Sequence, residues 1–194
     1  MKKRLSVLVI DQDRGRAALV EQALRDQGYD VLARLDTTDH LADRVEELKP
    51  DMIIVDLDSP DRDVLENMAI LNQSSPRPVV MFAEQGDQPT IEKAIRAGVS
   101  AYIVDGLEHH RMKAILDVAA ARFREFQALR SELADAKNEL ADRKIVERAK
   151  GLVMKHNRCS EEQAFKAMRK MAMDQQKPLN DIAKNIISVL ELVS

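Results

Sequence analysis

A cluster of basic side chains in the second half of the chain has the residue types of a surface that binds a polyanion. Four Lys and Arg residues fall within the eight positions from Arg143 to Lys150. Such side chains bind phosphate oxygens through charge-assisted hydrogen bonds, and Arg also contacts base edges through two parallel donors. The predicted contact residues are Arg143, Lys144, Arg148, Lys150, Lys155, Lys166, Arg169 and Lys170.

The distribution of charge along the chain agrees with this interpretation. The whole chain has a net charge of −3, whereas residues 141–194 hold eleven Lys or Arg and seven Asp or Glu, a net +4. Residues 1–140 therefore carry −7. A polyanion would bind the basic end, although an ordinary solvated helix face would give the same charge.

A second group of charged residues, all acidic, lies in the first half of the chain. Asp11 and Asp13 follow the first apolar run, Asp56 ends the third, and Asp105 follows the fifth. Ligands of open α/β sheets bind at the carboxyl ends of the strands, so these acids should form one pocket. Their proximity should raise the pKa of at least one of them. A divalent cation would relieve the repulsion.

The elements that position this pocket are five apolar runs, which alternate with amphipathic stretches. The runs predict strands at 5–10, 31–33, 52–55, 78–82 and 101–104, and the amphipathic spacing predicts helices around 17–27, 41–48 and 91–95. Strands that are apolar throughout are typical of a parallel sheet covered on both faces. We therefore predict an α/β fold, a doubly wound flavodoxin-like domain, over residues 1–122.

A single long helix is predicted to follow this domain, because no strand signal appears after about residue 107. Apolar residues spaced alternately by three and four positions form a heptad seam. The seam consists of Phe126, Leu129, Leu133, Ala136 and Leu140. We predict a homodimeric coiled coil at 123–142; the alternative is a helix packed on its own sheet domain.

Two shorter helices are predicted to complete a third segment, 143–194. Ser160 and Gln163 have the spacing of a capping box, and Pro178 suits the first turn of the last helix. The inward face of the middle helix is predicted to consist of Ala164, Phe165, Met168, Met171 and Ala172. Both helices should pack on the end of the long helix.

The first domain resembles the response-regulator receivers in its acids and in an Asp placed four residues before Pro60. The resemblance implies that paired acids bind Mg²⁺, in this chain at Asp11, Asp13 and Asp56. It also implies that Asp56 accepts a phosphoryl group. The chain departs from the family at Gln12, where a second acid is expected, at Phe82 instead of Thr or Ser, and at Asp105 instead of Lys. We therefore predict a pseudo-receiver that docks a protein; unused surface charge and a phosphorylation switch are the alternatives.

Residues 129–190 resemble the ANTAR domain, a three-helix RNA-binding module of bacterial transcription antiterminators. The resemblance rests on the run 143–154, RKIVERAKGLVM, on 160–165, SEEQAF, and on 168–172, MRKMA. With the receiver-like domain, the chain is similar to amide- and nitrate-responsive antiterminators, and its segments 79–84 and 102–107 are most similar to nitrate-assimilation regulators of the NasT type. The resemblance implies a dimer that binds a two-hairpin leader RNA under the control of a nitrate- or ligand-sensing partner protein.

Other classes of function are disfavoured by the residues present. No nucleophile–base or metal-ligand set indicates an enzyme, and no cofactor other than Mg²⁺ is expected. The single cysteine, Cys159, excludes an internal disulfide, and no apolar run is long enough to span a bilayer. We expect a cytoplasmic protein. A phosphorylation-responsive DNA-binding regulator and a coiled-coil adaptor without a nucleic-acid ligand are the alternatives.

Overall fold

A computed structural model describes residues 4–104 and 109–192, which form two compact units, Met1–Gln127 and Ala128–Ser194. The first unit contains a five-stranded parallel sheet of order β2-β1-β3-β4-β5. Its strands are β1 Ser6–Asp11, β2 Asp30–Leu35, β3 Met52–Leu57, β4 Val79–Ala83 and β5 Ala101–Val104. The predicted α/β class and flavodoxin-like strand order are confirmed.

Helices cover both faces of this sheet. Their bounds are α1 Arg14–Asp26, α2 Leu41–Leu48, α3 Arg62–Ser74 and α4 Gln88–Arg96, followed by α5 His109–Asn157. One apolar core lies between the sheet and α2, α3 and α4, and the other between the sheet and α1 and the start of α5. β1, β3 and β4 are buried over nearly their whole length, because both of their faces are covered.

The structure adds one helix that the sequence analysis did not assign. This helix, α3, buries Val64, Met68 and Leu71 against the sheet. Its N-cap is Asp61, whose carboxylate accepts a hydrogen bond from the backbone N–H of Val64 at 2.8 Å.

The long helix α5 contains 49 residues and begins in the first unit and ends in the second. The predicted coiled-coil segment lies inside it. Leu129, Leu133 and Leu140 are each 56% exposed in the single chain, so the apolar seam is available to a partner. No described helix combines the length and the apolar character needed to cross a bilayer.

The second unit is a three-helix arrangement of the end of α5 with α6 Glu161–Asp174 and α7 Leu179–Leu192. Its core joins Ala149 and Val153 of α5 to Ala164 and Met168 of α6 and Ala183 of α7. The predicted packing on the end of the long helix is confirmed.

Of two predictions about α6, one is confirmed and one is wrong. The capping box is confirmed: the Ser160 backbone N–H donates to Gln163 Oε1 at 2.9 Å, and the Gln163 N–H donates to Ser160 Oγ at 3.3 Å. The prediction that Phe165 and Met171 face inward is wrong, because they are 38% and 45% exposed. Only a narrow stripe of α6 contacts the other two helices.

Candidate functional site

Three residues of neighbouring strands form a row at the carboxyl edge of the sheet. In the register of the sheet Asp11 of β1 pairs with Asp56 of β3, and Asp56 pairs with Phe82 of β4. Asp11 is 2% exposed and Asp56 is 3% exposed. Two carboxylates are therefore buried side by side, which is costly unless a cation compensates them.

The compensating cation is Arg16, in the first turn of α1. Its Nη2 lies 3.1 Å from Asp11 Oδ1, and its Nε lies 3.2 Å from Asp11 Oδ2 and 3.5 Å from Asp56 Oδ2. Its Nη1 donates to Asp58 Oδ1 at 3.0 Å. One guanidinium thus bridges carboxylates that follow two different strands. These hydrogen bonds, chiefly those to Asp11, raise the pKa of Arg16.

Asp56 has the most perturbed carboxyl group of the pocket. Burial raises its pKa to about 6, Arg16 opposes the rise, and Asp11, Asp58 and Glu84 add to it. The predicted upward shift is confirmed, although burial contributes more than the neighbouring acids do. Asp56 Oδ2 makes no hydrogen bond, so its ionised form is poorly solvated.

The prediction that Asp13 belongs to this pocket is wrong. Its carboxylate caps α1 and accepts the backbone N–H groups of Gly15 at 2.7 Å and Arg16 at 2.9 Å. These backbone hydrogen bonds lower the pKa of Asp13. The fourth predicted member, Asp105, lies outside the described residues.

The residues present do not fit the Mg²⁺ ion that the receiver fold implies. Within 4–104 and 109–192, no group of three His, Cys, Asp or Glu residues is arranged to hold a metal ion. Asp13 acts as the helix cap, and both oxygens of Asp11 contact Arg16. The expected Mg²⁺ site at Asp11, Asp13 and Asp56 is therefore not formed.

Phe82 occupies the position where the family pattern has a hydroxyl. Its side chain is fully buried in the core that contains Met112 and Leu116 of α5. A phenyl ring has no hydrogen-bonding group, so this position cannot report a phosphoryl group on the neighbouring Asp56. It provides packing between β4 and α5 instead.

A different arrangement of charge is found on the end of α5. Lys144, Arg148, Gly151 and Lys155 follow one another at steps of four, three and four, so they share one side of the helix. All four are exposed. A Cβ atom placed on Gly151 would have no atom within 4 Å other than those of its chain neighbours and of the adjacent helix backbone. The close approach of a second helix expected from a helical glycine does not occur within the described chain.

Lys150 belongs to neither this stripe nor the open surface. It is 8% exposed, and its Nζ lies 2.7 Å from Glu147 Oε2 and 2.6 Å from Glu161 Oε1. These hydrogen bonds, first that to Glu147, raise the pKa of Lys150, and the same pairing lowers the pKa of Glu161. The structure places Lys150 as a link between α5 and the first turn of α6.

The remaining predicted cations are exposed. Arg143 precedes the stripe on α5, and Lys166, Arg169 and Lys170 lie on α6. Phe165 lies one turn before Arg169 on α6 and is partly exposed, so an aromatic face accompanies the cations.

Sequence reasoning missed two residues that decide these sites, Arg16 and Glu161. Arg16 is only five positions from Asp11, but its contact with Asp58 spans 42 positions. The link from Lys150 to Glu161 spans 11 positions and a change of helix. A basic residue in the first turn after an acidic strand end was the available signal for Arg16.

Comparison with known proteins agrees with both units. The model of the response regulator receiver domain matches residues 7–117, and that of the ANTAR domain matches residues 134–187. The transcriptional regulatory protein PdtaR of Mycobacterium tuberculosis (strain ATCC 25618 / H37Rv) is 30% identical over 169 residues, which are 87% of this chain and 82% of that protein.

Two further similarities are partial. The nitrate regulatory protein of Klebsiella oxytoca is 38% identical over 80 residues, which are 41% of this chain and 20% of that protein. Among solved structures, the signal receiver domain of a modulated diguanylate cyclase from Desulfovibrio desulfuricans G20 has a TM-score of 0.56 at 23% identity. It covers 63% of this chain and 98% of its own, and supports the receiver fold alone.

Proposed function

We propose a function from the premise that this chain belongs to the response regulators that combine a receiver domain with an ANTAR domain, a family of RNA-binding antitermination regulators. The chain binds a two-hairpin leader RNA as a dimer and prevents formation of a terminator. A partner protein, rather than phosphorylation, controls this binding. The observation that carries the proposal is the exposed basic stripe on α5.

The stripe has the features that an RNA loop requires. Lys144, Arg148 and Lys155 present positive charge along one exposed side of the helix. Between them Gly151 leaves the helix backbone uncovered. A phosphate or a splayed base could approach this point more closely than any residue with a side chain would allow.

The exposed side of α6 adds a second type of contact. Single-stranded bases stack on aromatic rings, and the partly exposed ring of Phe165 stands one turn from Arg169 and beside Lys166. We propose that Phe165 stacks on a loop base while the two cations contact phosphates. Hairpin loops, whose bases are unstacked, would then be preferred over duplexes.

Control through a partner follows from the state of the receiver pocket. Arg16 bridges the acids at the sheet edge, and Phe82 gives no hydroxyl for a phosphoryl group. We therefore propose that the signal reaches the protein by another route. The similarity to a nitrate regulatory protein favours a nitrate- or ligand-sensing protein as that partner.

The decisive experiment measures binding of the full chain to a paired-hairpin leader RNA, to the same RNA with scrambled loops, and to duplex DNA. We expect preference for the intact hairpins and weaker binding as salt rises. Replacing Lys144, Arg148 and Lys155 with Ala should lower affinity about 100-fold and reduce the salt slope by about three.

A charge-matched control distinguishes this surface from net charge. Replacing Arg14, Arg34 and Lys113 of the receiver unit with Ala removes the same charge and should leave RNA affinity unchanged. Preference for duplex DNA would favour a DNA-binding regulator. Equal affinity for intact and scrambled loops would contradict the proposal, and no binding to any nucleic acid would favour an adaptor.

Dimerisation has its own test. Replacing Leu133 and Leu140 with Asp would bury unpaired charge in the seam and should convert the dimer into a monomer, at a cost of several kcal/mol, on the order of 3–5. Ser131→Asp with Asn138→Asp places the same charges on the opposite side of α5 and should leave the dimer intact. Sedimentation that shows one mass for both double variants would remove the coiled coil from the proposal.

A further inference from the structure

The guanidinium of Arg16 lies between the carboxyl ends of β1 and β3, where the receiver fold would bind a divalent cation. It contacts Asp11 Oδ1 at 3.1 Å and Asp58 Oδ1 at 3.0 Å, and its Nε is 3.5 Å from Asp56 Oδ2. Asp11 and Asp56 are almost completely buried, so Arg16 is the cation that makes their burial tolerable.

We infer that Arg16 is a tethered replacement for the divalent cation, which makes this receiver independent of metal. A divalent ion such as Mg²⁺ needs about six oxygen ligands in near-octahedral geometry. Here Asp13 caps α1, and Asp11 accepts from Arg16 and from the backbone N–H of Asp13 at 2.8 Å. A metal ion would have to displace the guanidinium or lie in contact with a like charge.

An arginine suits this task better than a lysine would. Its planar group carries several donors in fixed directions and stays charged at every accessible pH, so one side chain can reach three carboxylates at once. The three contacts join the ends of two strands to the start of α1. The edge of the sheet is therefore held in one arrangement, whatever the concentration of metal ion or phosphoryl donor.

The test compares Arg16→Gln with Arg14→Gln in the full chain, using Mg²⁺ for thermal unfolding and Mn²⁺ as a paramagnetic binding probe. Arg14 is exposed on the same helix and serves as the matched control. The parent protein and Arg14→Gln should show no change of unfolding temperature with millimolar Mg²⁺ at constant ionic strength. Arg16→Gln should unfold several degrees lower, recover in Mg²⁺, and bind Mn²⁺ about tenfold or more tightly than the parent.

A second variant tests whether the metal ion bound by Arg16→Gln lies at Asp56. Adding Asp56→Asn to Arg16→Gln removes a buried carboxylate and should abolish both the Mg²⁺ response and the gained Mn²⁺ binding. If Arg16→Gln folds only in Mg²⁺, the inference stands. A parent protein that is stabilised by Mg²⁺ or binds Mn²⁺ as tightly as folded Arg16→Gln, or an unfolded Arg16→Gln that Mg²⁺ fails to rescue, would each overturn it. These outcomes are independent of whether the chain binds RNA.

Discussion

The acidic pocket of the first unit and the basic stripe of the second unit are both built from charged side chains, but they differ in what neutralises the charge. In the pocket, Arg16 contacts Asp11, Asp56 and Asp58, so the acids are paired within the chain. On the stripe, Lys144 and Lys155 lie exposed on an open helix side. The acids of the pocket are bridged by a cation of the chain, whereas the stripe presents positive charge on an exposed helix surface.

Lys150 shows that position in the sequence does not decide between these two states. It lies inside the most basic run of the chain, yet it pairs with Glu147 and Glu161 and is nearly buried. Arg148, two positions earlier, is exposed on the other side of the same helix. The comparison is therefore between a buried cation and an exposed one on the same helix, and it can be tested residue by residue.

Among the variants that compare the two regions, the largest effect is expected from Asp56→Asn in the pocket, and it is a change in the free energy of unfolding. The pKa of Asp56 is raised from 3.8 to about 6, so the carboxyl group favours the folded state when protonated. This contribution is fully present below about pH 4 and is lost as the pH rises through about 6. Asn keeps the neutral shape, so the free energy of unfolding at about pH 8 should rise by about 1–3 kcal/mol.

The control for this prediction is Asp58→Asn, which removes the same charge from a side chain that is 78% exposed. It should change stability by less than about 1 kcal/mol, because its ion pair is solvated. Denaturant titrations between about pH 4 and pH 8 give both values. If Asp56→Asn is no more stable than the parent at pH 8, the buried carboxylate is better compensated than we describe. RNA affinity should stay unchanged with Asp56→Asn or after treatment with acetyl phosphate.

Smaller effects are expected from substitutions of Arg148 and Lys150, and the two residues should differ in which property changes. Arg148→Ala should lower affinity for hairpin RNA about tenfold and leave the unfolding temperature almost unchanged. Lys150→Met should lower the unfolding temperature, because it leaves Glu147 and Glu161 without their shared cation. It should leave the affinity for hairpin RNA almost unchanged, because Lys150 is not on the exposed surface. Filter binding and thermal unfolding of the two variants give the comparison. Equal losses of RNA affinity would show that Lys150 is presented to RNA after all.

The fold was predictable because the central strands are apolar throughout and the heptad seam is regular. The missed helix α3 carried a readable signal, since Val64, Met68 and Leu71 have helical spacing. The inward position predicted for Phe165 is wrong, because an apolar side chain on a short helix of a three-helix unit can remain exposed. Ala164 and Met168, which were also predicted to face inward, do form the contact stripe.

The charged sites were less predictable because their ion pairs join residues that are distant in sequence. The number and spacing of acids indicated a shared pocket and a raised pKa, and both expectations agree with the geometry of Asp11 and Asp56. The role of Arg16 depends on carboxylates that follow two separate strands, and local spacing cannot reveal the second of them. Asp13 was counted as a ligand although its place just before a helix is typical of an N-cap.

The smallest and most specific effect is expected at Gly151. Its substitution tests whether RNA needs access to the helix backbone as well as the neighbouring cations. Glycine inside a helix is less favourable than alanine by about 1 kcal/mol, and a Cβ at this position would meet no atom within 4 Å beyond its chain neighbours and the adjacent helix backbone. Packing within the chain therefore gives no reason for the glycine. If RNA approaches the backbone here, Gly151→Ala should raise the unfolding temperature and yet weaken hairpin binding by roughly threefold, with the dimer unchanged in sedimentation.

The matched control is Asn138→Ala, which also raises helix propensity at an exposed position of α5 but lies away from the stripe. It should raise stability by a few tenths of a kcal/mol, about 0.5, without any loss of RNA affinity. A stabilised Gly151→Ala protein that binds RNA as tightly as the parent would show that the stripe acts through charge alone. A loss confined to Gly151→Ala would show that the helix backbone itself, left uncovered at the centre of three cations, is part of the RNA-binding surface.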